Sequence, residues 1–312
     1  MHITLAPMEG VVDSLMRDML TRVGGFDLCV TEFVRIVDQL LPKRVFYRMC
    51  PELHHHGYTP SGVPVKVQLL GSEPQWLAEN AVRAVELGSH GIDLNFGCPA
   101  KTVNKSKGGA VLLQEPETLY QILSTVRQAL PKGTVLSAKM RLGFADTTLA
   151  IENAHAIASG GADLLVIHAR TKLDGYKPPA YWPWIAKIKQ HVDIPLVANG
   201  EIWGREQAFQ CIQESECQNI MLGRGALALP NLAAVIKGTQ QSMLWPEVKQ
   251  LLLDYSGYEL YSDKGKYFPN RVKQWLGYLS RQYWQAEQLF IQIRTLHNAQ
   301  QIIDKLKQFD AS

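Results

Sequence analysis

Several features that would settle the class of this chain at once are absent. No apolar stretch approaches the roughly 20 residues of a membrane-spanning helix. The N-terminus runs straight into a strand-like segment at residues 3–7 instead of a charged and apolar leader, so neither a span nor a signal peptide is expected. The five cysteines (Cys29, Cys50, Cys98, Cys211 and Cys217) are odd in number and scattered, with no C-x-x-C pair. That pattern argues for reduced thiols in the cytoplasm, and against a disulfide framework or a structural zinc site. The run His54-His55-His56 lies in a Pro- and Gly-bounded loop without acidic or thiol residues at ligand spacing, so no metal is expected. Net charge is only +3, which leaves the distribution of charge, and not its total, to reveal any nucleic-acid partner. There is no low-complexity segment and no internal repeat beyond an alternation of strand and helix.

That alternation is what the chain does have. Strand-like segments fall at residues 3–7, 27–33, 65–70, 91–95, 136–141, 164–168, 196–198 and 219–222. Helical patterns at 12–23, 75–87, 116–130, 149–159, 182–191 and 205–213 separate them, with apolar residues at three- and four-residue spacing. Residues 37–62 are poorly patterned and read as a short helix plus a loop. Eight such units over about 240 residues fit a (β/α)8, or TIM, barrel. A doubly wound open sheet is the alternative, but no Gly-x-Gly-x-x-Gly follows an early strand. Beyond the polar stretch Gly238-Thr239-Gln240-Gln241-Ser242 only helical patterning continues, at 246–261, 270–284, 286–296 and 298–309. Two domains are therefore expected, a barrel over residues 1–241 and a small helical domain over 242–312.

In a barrel of this kind the working residues stand at the C-terminal ends of the strands. Here those ends carry Pro7-Met8-Glu9, Gln68, Asn95 with Cys98, Lys139 with Arg141, His168 with Arg170, Asn199-Gly200-Glu201 and Gly223-Arg224. Glycine turns after strands seven and eight let backbone N–H groups approach a phosphate, and Arg224 adds a fixed positive charge. The segment from Gly91 to Asn104 is the most specific. A short buried strand breaks at Asn95-Phe96-Gly97 and delivers a thiol pinned by Pro99, followed by a polar, glycine-rich loop at 101–109 that is expected to move.

Leu94-Asn-Phe-Gly-Cys-Pro99 resembles the signature of the tRNA-dihydrouridine synthases, flavoenzymes that saturate uracil rings in tRNA. The resemblance spans essentially the full chain. It implies that FMN is held by Pro7, Met8, Glu9, Gln68, Lys139, His168, Asn199, Gly200, Glu201, Gly223 and Arg224, with NADPH as reductant. Gln68 suits the pyrimidine edge of the flavin, and Lys139 suits the region of N1–O2, where reduction leaves negative charge. Cys98 is then the acid that protonates C5 of uracil, and Asn95 holds the uracil edge. An unperturbed thiol, with a pKa of about 8.5, is protonated at neutral pH and can donate. A nucleophilic cysteine would instead need an activating base, a part left open to His168.

Residues 264–294 carry Lys264, Lys266, Arg271, Lys273, Arg281 and Arg294 against one acid, Glu287, with Tyr267, Phe268, Trp275, Tyr278, Tyr283 and Trp284 interleaved. The cations suit phosphate contacts on folded RNA, whereas Trp275, Tyr278 and Leu279 have the spacing of core residues. Arg271-Val-Lys273-Gln-Trp275, the strand end Thr31–Arg35 and the Gly175-Tyr176 loop resemble the subgroup acting on uridine sixteen of the D-loop. By that resemblance Arg35, Asn95, Tyr176, Arg271, Lys273 and Arg294 are the tRNA contacts, at the D-loop and elbow. A monomer with no protein partner and no membrane association is expected. Two other readings compete: a small-molecule pyrimidine oxidoreductase of the dihydroorotate dehydrogenase kind, and a tRNA-binding module without chemistry. The basic C-terminal segment speaks against the first, and the set Cys98, Lys139 and His168 against the second.

Overall fold

The protein, described here by a computed structural model covering residues 1–105, 107–260 and 265–309, closes eight parallel strands into a barrel in chain order. The strands are β1 (Ile3–Leu5), β2 (Leu28–Arg35), β3 (Val65–Leu70), β4 (Ile92–Phe96), β5 (Leu136–Arg141), β6 (Leu164–His168), β7 (Leu196–Asn199) and β8 (Asn219–Leu222). The barrel expected from the strand–helix alternation is therefore the fold that forms. Strands β3, β5, β6 and β8 have the ends expected from the sequence, and the other four differ by one or two residues at one end or both. Strand β4 starts after Gly91 because that residue has φ +100°, where a Cβ would lie 2.5 Å from the Val135 carbonyl.

Side chains alternate between the two faces of each strand. On β5, Leu136, Ala138 and Met140 are fully buried against the outer helices, which leaves Ser137, Lys139 and Arg141 to the barrel interior. Inside, Ala6, Val30, Val166, Val197 and Met221 form a separate small apolar plug. The plug draws on β2, β6, β7, β8 and the end of β1, whereas β3–β5 bring Lys66, Gln68, Asp93, Asn95, Ser137 and Lys139 inward.

Three short helices escaped the pattern reading. Lys101–Lys105 occupies the stretch expected to be a moving loop, and Asn104 Nδ2 ties it back to the carbonyls of Cys98 and Ala100 at 3.0 and 2.7 Å. Arg224–Ala228 and Leu232–Lys237 are mostly apolar all round and so lack amphipathic periodicity. Residues 37–62 hold the helix Lys43–Met49 and the tight turn Pro51–His55. That region is anchored by a buried pair, with Arg17 Nε donating to Glu52 Oε1 at 2.7 Å and Nη2 to Oε2 at 2.9 Å. His54 stacks on Tyr47 with ring centroids 3.9 Å apart. Among the described residues no three His, Cys, Asp or Glu side chains gather as metal ligands.

After β8 no further strand follows among the described residues. Helices Trp245–Leu260, Phe268–Leu279, Trp284–Ile293 and Ala299–Gln308 share one apolar core with the outer face of the barrel. Trp275, 2 % exposed, donates its indole N–H to the Leu227 carbonyl at 3.2 Å. The connecting stretch is pinned by Asn231 Nδ2 on the Gln241 carbonyl (2.7 Å) and Tyr283 O–H on the Met243 carbonyl (2.9 Å). No described helix is long and apolar enough to cross a membrane. Lys264 of the basic run, Tyr261 at an expected helix end and Ser106 in the 101–109 stretch lie outside the described residues.

Candidate active site at the barrel mouth

Strand register decides which inward side chains become neighbours. Asn95 pairs with Lys139 across β4 and β5, Arg141 with His168 across β5 and β6, and His168 with Asn199 across β6 and β7. Together with the turns after β1 and β8 they surround a cavity of about 480 Å³, within the range of small-molecule sites. All the residues expected to bind cofactor line it: Pro7, Met8, Glu9, Gln68, Lys139, His168, Asn199, Gly200, Glu201, Gly223 and Arg224. Asn95, Cys98 and Tyr176 line it too. Arg35, Arg271, Lys273 and Arg294 are not part of its wall. Trp203 and Tyr278, which the sequence reading passed over as site residues, are.

The basic groups here are crowded together. Burial pushes Lys139 down to about 8, helped by the nearby Arg141. Burial likewise lowers Arg141 and Arg224, and it drives His168 well below the ordinary imidazole value, with Arg141, Lys139, Arg170 and Arg224 adding repulsion. His168 is therefore neutral at physiological pH, and its ring is backed by Gly200, where a Cβ would come within 2.7 Å of Cδ2. Four basic groups held below their ordinary values in one cavity describe a site that favours an anion.

Cys98 is half-buried on a turn made by Asn95, whose Oδ1 accepts the N–H groups of Gly97 and Cys98 at 2.9 and 3.0 Å. Arg141 braces the same turn. Its Nε donates to the Gly97 carbonyl at 2.9 Å, and Nη1 donates to the carbonyls of Thr171 and Gly175, each at 2.9 Å. One guanidinium thus joins the cysteine turn to the Tyr176 loop. Burial pushes the Cys98 thiol up, more than Lys139 and Arg141 pull it down. A protonated thiol at neutral pH is the state a proton donor requires.

On the opposite wall, Glu201 has φ +56° and directs its carboxylate to Arg170 and to Arg224, the latter at 3.3 Å, while Trp203 Nε1 donates to it at 2.9 Å. Burial raises the Glu201 pKa, but Arg170, Trp203 and Arg224 outweigh that and keep it below the usual carboxylate value. An alternating ladder of cations and rings results. Arg281 lies 3.7 Å over Trp203, Arg224 lies 5.0 Å from both Trp203 and Tyr176, and Arg141 lies 5.2 Å from Tyr176. It runs from the C-terminal helices to the cysteine turn.

The basic residues read as tRNA contacts have the following surroundings within the chain. Arg271 forms an ion pair with Asp13 at 2.9 Å and donates to the Tyr255 hydroxyl at 2.7 Å, so it ties the C-terminal helices to the barrel. Lys273 Nζ donates to the Leu296 carbonyl at 2.5 Å within the helical segment. Arg35, at the end of β2, donates to the Thr102 carbonyl at 3.3 Å beside the cysteine turn. Arg294 is exposed.

Comparisons with known proteins agree with this geometry. The family described as dihydrouridine synthase (Dus) matches residues 4–309. The tRNA-dihydrouridine(16) synthase of Shewanella oneidensis is 54% identical over 308 residues, covering 99% of this chain and 98% of that protein. That of Vibrio cholerae is 54% identical over 310 residues, covering 99% and 96%. That of Escherichia coli K12 is 51% identical over 311 residues, covering 99% of each. Among solved structures, a variant of NCR from Zymomonas mobilis superposes with TM-score 0.54 at 14% identity, over 78% of this chain and 88% of that one. Histamine dehydrogenase from Rhizobium sp. 4-9 gives TM-score 0.57 at 14% identity, over 76% and 46%. The structural likenesses speak for the barrel alone. The match from residue 4 to residue 309, with relatives identical at more than half of the aligned positions, shows that the chain belongs to the dihydrouridine synthase family and is an oxidoreductase.

Proposed function

We propose that this enzyme binds FMN, uses NADPH as reductant, and saturates the C5–C6 bond of uridine sixteen in the D-loop of tRNA. The crowding of Lys139, Arg141, His168 and Arg224 around one cavity carries this reading. Arg224 and the turns at Gly200 and Gly223 would hold the phosphate, and Lys139 would face the part of the flavin where reduction leaves negative charge. Reduced FMN, when bound, supplies the hydride that goes to C6 of uracil.

The remaining work falls to the chain itself. Cys98 gives its proton to C5 and regains one from solvent, with Asn95 and Arg141 holding its turn in place. Gln68 and Asn95 hold pyrimidine edges from the cavity floor. Tyr176, 55 % exposed and lying between Arg141 and Arg224, offers a ring on which an extruded base can stack. Extrusion is required because a uracil inside the tRNA fold cannot reach a barrel cavity. The helical segment, taken as residues 242–312, orients the tRNA. Arg294 and Lys266, both exposed, serve as phosphate contacts, while Arg271 and Lys273 hold the segment's own geometry. The names of the relatives quoted above support position sixteen. Five free thiols support a cytoplasmic location, and the enzyme is taken to work as a monomer.

Titration with FMN tests the proposal. Lys139 is lowered from 10.5 to about 8, so it loses its proton as pH rises through that value, and an anion bound beside it raises the value again. FMN binding should therefore take up a proton above pH 8 and weaken as pH rises, by at most about tenfold per unit. One FMN per chain is expected, bound about tenfold more tightly at pH 7 than at pH 9. Lys139→Met should flatten that dependence. Equal affinity at the two pH values would remove Lys139 from the flavin, and failure to take up FMN would remove the flavin reading.

A further inference from the structure

The polar groups inside the barrel form one directed chain that ends at the cysteine turn. Lys66 Nζ donates to Ser137 Oγ at 3.1 Å, and Ser137 Oγ donates to Asp93 Oδ1 at 2.6 Å. The second carboxylate oxygen, Asp93 Oδ2, accepts from Gln68 Nε2 at 2.7 Å. Gln68 Oε1 in turn accepts from Asn95 Nδ2 at 2.8 Å, and Asn95 Oδ1 accepts the N–H groups of Gly97 and Cys98. Lys66, Asp93 and Ser137 are buried and take no part in the cavity wall.

The direction of this chain has a single source. An amide side chain can present either its oxygen or its nitrogen to a neighbour, whereas a carboxylate only accepts. Facing Asp93, Gln68 must turn its NH₂ group inward, so its carbonyl faces Asn95. Asn95 must then spend an N–H on Gln68, which leaves its carbonyl for the turn. Were Gln68 reversed, its NH₂ would either meet that of Asn95 or force Asn95 to flip and present donors to the two N–H donors of the turn.

We propose that Asp93 is a positioning residue which, by orienting the amides of Gln68 and Asn95, sets the turn that carries Cys98. The inference rests on the reading of Cys98 as proton donor for its catalytic meaning, but the geometry it asserts can be tested without the reaction. Ser137 and Lys66 support the same carboxylate from beneath: the hydroxyl satisfies one oxygen, and the ammonium supplies the counter-charge that a buried carboxylate needs.

Asparagine at position 93 keeps the shape but can donate as readily as accept, so Gln68 is no longer forced into one orientation. The test is alkylation of the full-length purified protein by iodoacetamide, followed by mass at each cysteine in wild type, Asp93→Asn and Ser137→Ala. Cys29, Cys50, Cys211 and Cys217 are buried and serve as internal controls. Asp93→Asn should label Cys98 about tenfold faster than wild type, the effect of losing a hydrogen bond to a charged group on the opening of the turn. The four controls should stay protected. Ser137→Ala removes one donor to the carboxylate and should give a smaller increase, about threefold; it carries the test if Asp93→Asn does not fold. With tRNA as substrate, kcat should fall in both variants while KM holds. Labelling of Cys98 within twofold of wild type in the folded variants would overturn the proposal. So would a parallel rise at all five cysteines, which would make Asp93 a support of global stability only. Neither result depends on whether the protein reduces uridine.

Discussion

Replacing Cys98 by alanine is expected to leave NADPH reduction of the flavin intact while slowing uridine reduction by about 100- to 10,000-fold, the range supplied by a positioned general acid. The thiol is half-buried on a turn held by Asn95 and Arg141, and desolvation raises it above its ordinary value despite two nearby cations. It therefore keeps its proton at neutral pH, and it lines the same cavity as Lys139 and Gln68. Alanine removes the acid without a large change of shape, so the flavin and its reductant should still meet. Stopped-flow measurement separates the two halves: NADPH bleaching of the flavin, then its recovery on adding tRNA. The wild-type rate of the second half should fall as pH rises past the raised thiol value, and the variant should lack that limb. Recovery at the wild-type rate in Cys98→Ala would give the proton to another group.

Arg271→Ala is expected to destabilise the protein by about 2–3 kcal/mol, because it removes the guanidinium paired at 2.9 Å with the largely buried Asp13. The Arg271 and Asp13 side chains are 15% and 7% exposed, and Asp13 also caps the helix Ser14–Arg22 by accepting from Met16 N–H at 3.1 Å. Arg271 further donates to Tyr255, whose ring packs edge-on against Trp275. The change should lower the denaturant midpoint while barely altering the salt slope of tRNA binding. Arg294→Ala should do the reverse, flattening that slope by somewhat under one unit with the midpoint unchanged. A variant of Arg271 as stable as wild type that loses a unit of salt slope would return Arg271 to the RNA surface.

The barrel was readable because period-two strands and intervening helices alternate, and the cavity-lining residues because a barrel of this kind brings its strand ends to one mouth. The string Leu94–Pro99 named the family before any contact was known. What escaped was of two kinds. Short helices such as Leu232–Lys237, which are mostly apolar all round, have no amphipathic period to detect. The use of a charge also depends on what faces it across the fold. Arg271 lies 258 positions from Asp13 in sequence, so its ion pair has no local signal, and a run of cations read as one surface divides into ties and exposed groups. Trp203 escaped for the same reason, since its partners Arg224 and Arg281 come from a later helix and a later turn.

In the proposed reaction one cavity, with Cys98 as its acid, reduces one D-loop uridine. The most direct measurement incubates the purified protein with FMN, NADPH and tRNA lacking dihydrouridine, then maps dihydrouridine along the product by mass. Dihydrouridine at position sixteen, formed by wild type and not by Cys98→Ala, is the predicted result. Dihydrouridine at another position would rule out uridine sixteen as the target, and equal product from the variant would rule out Cys98 as the acid.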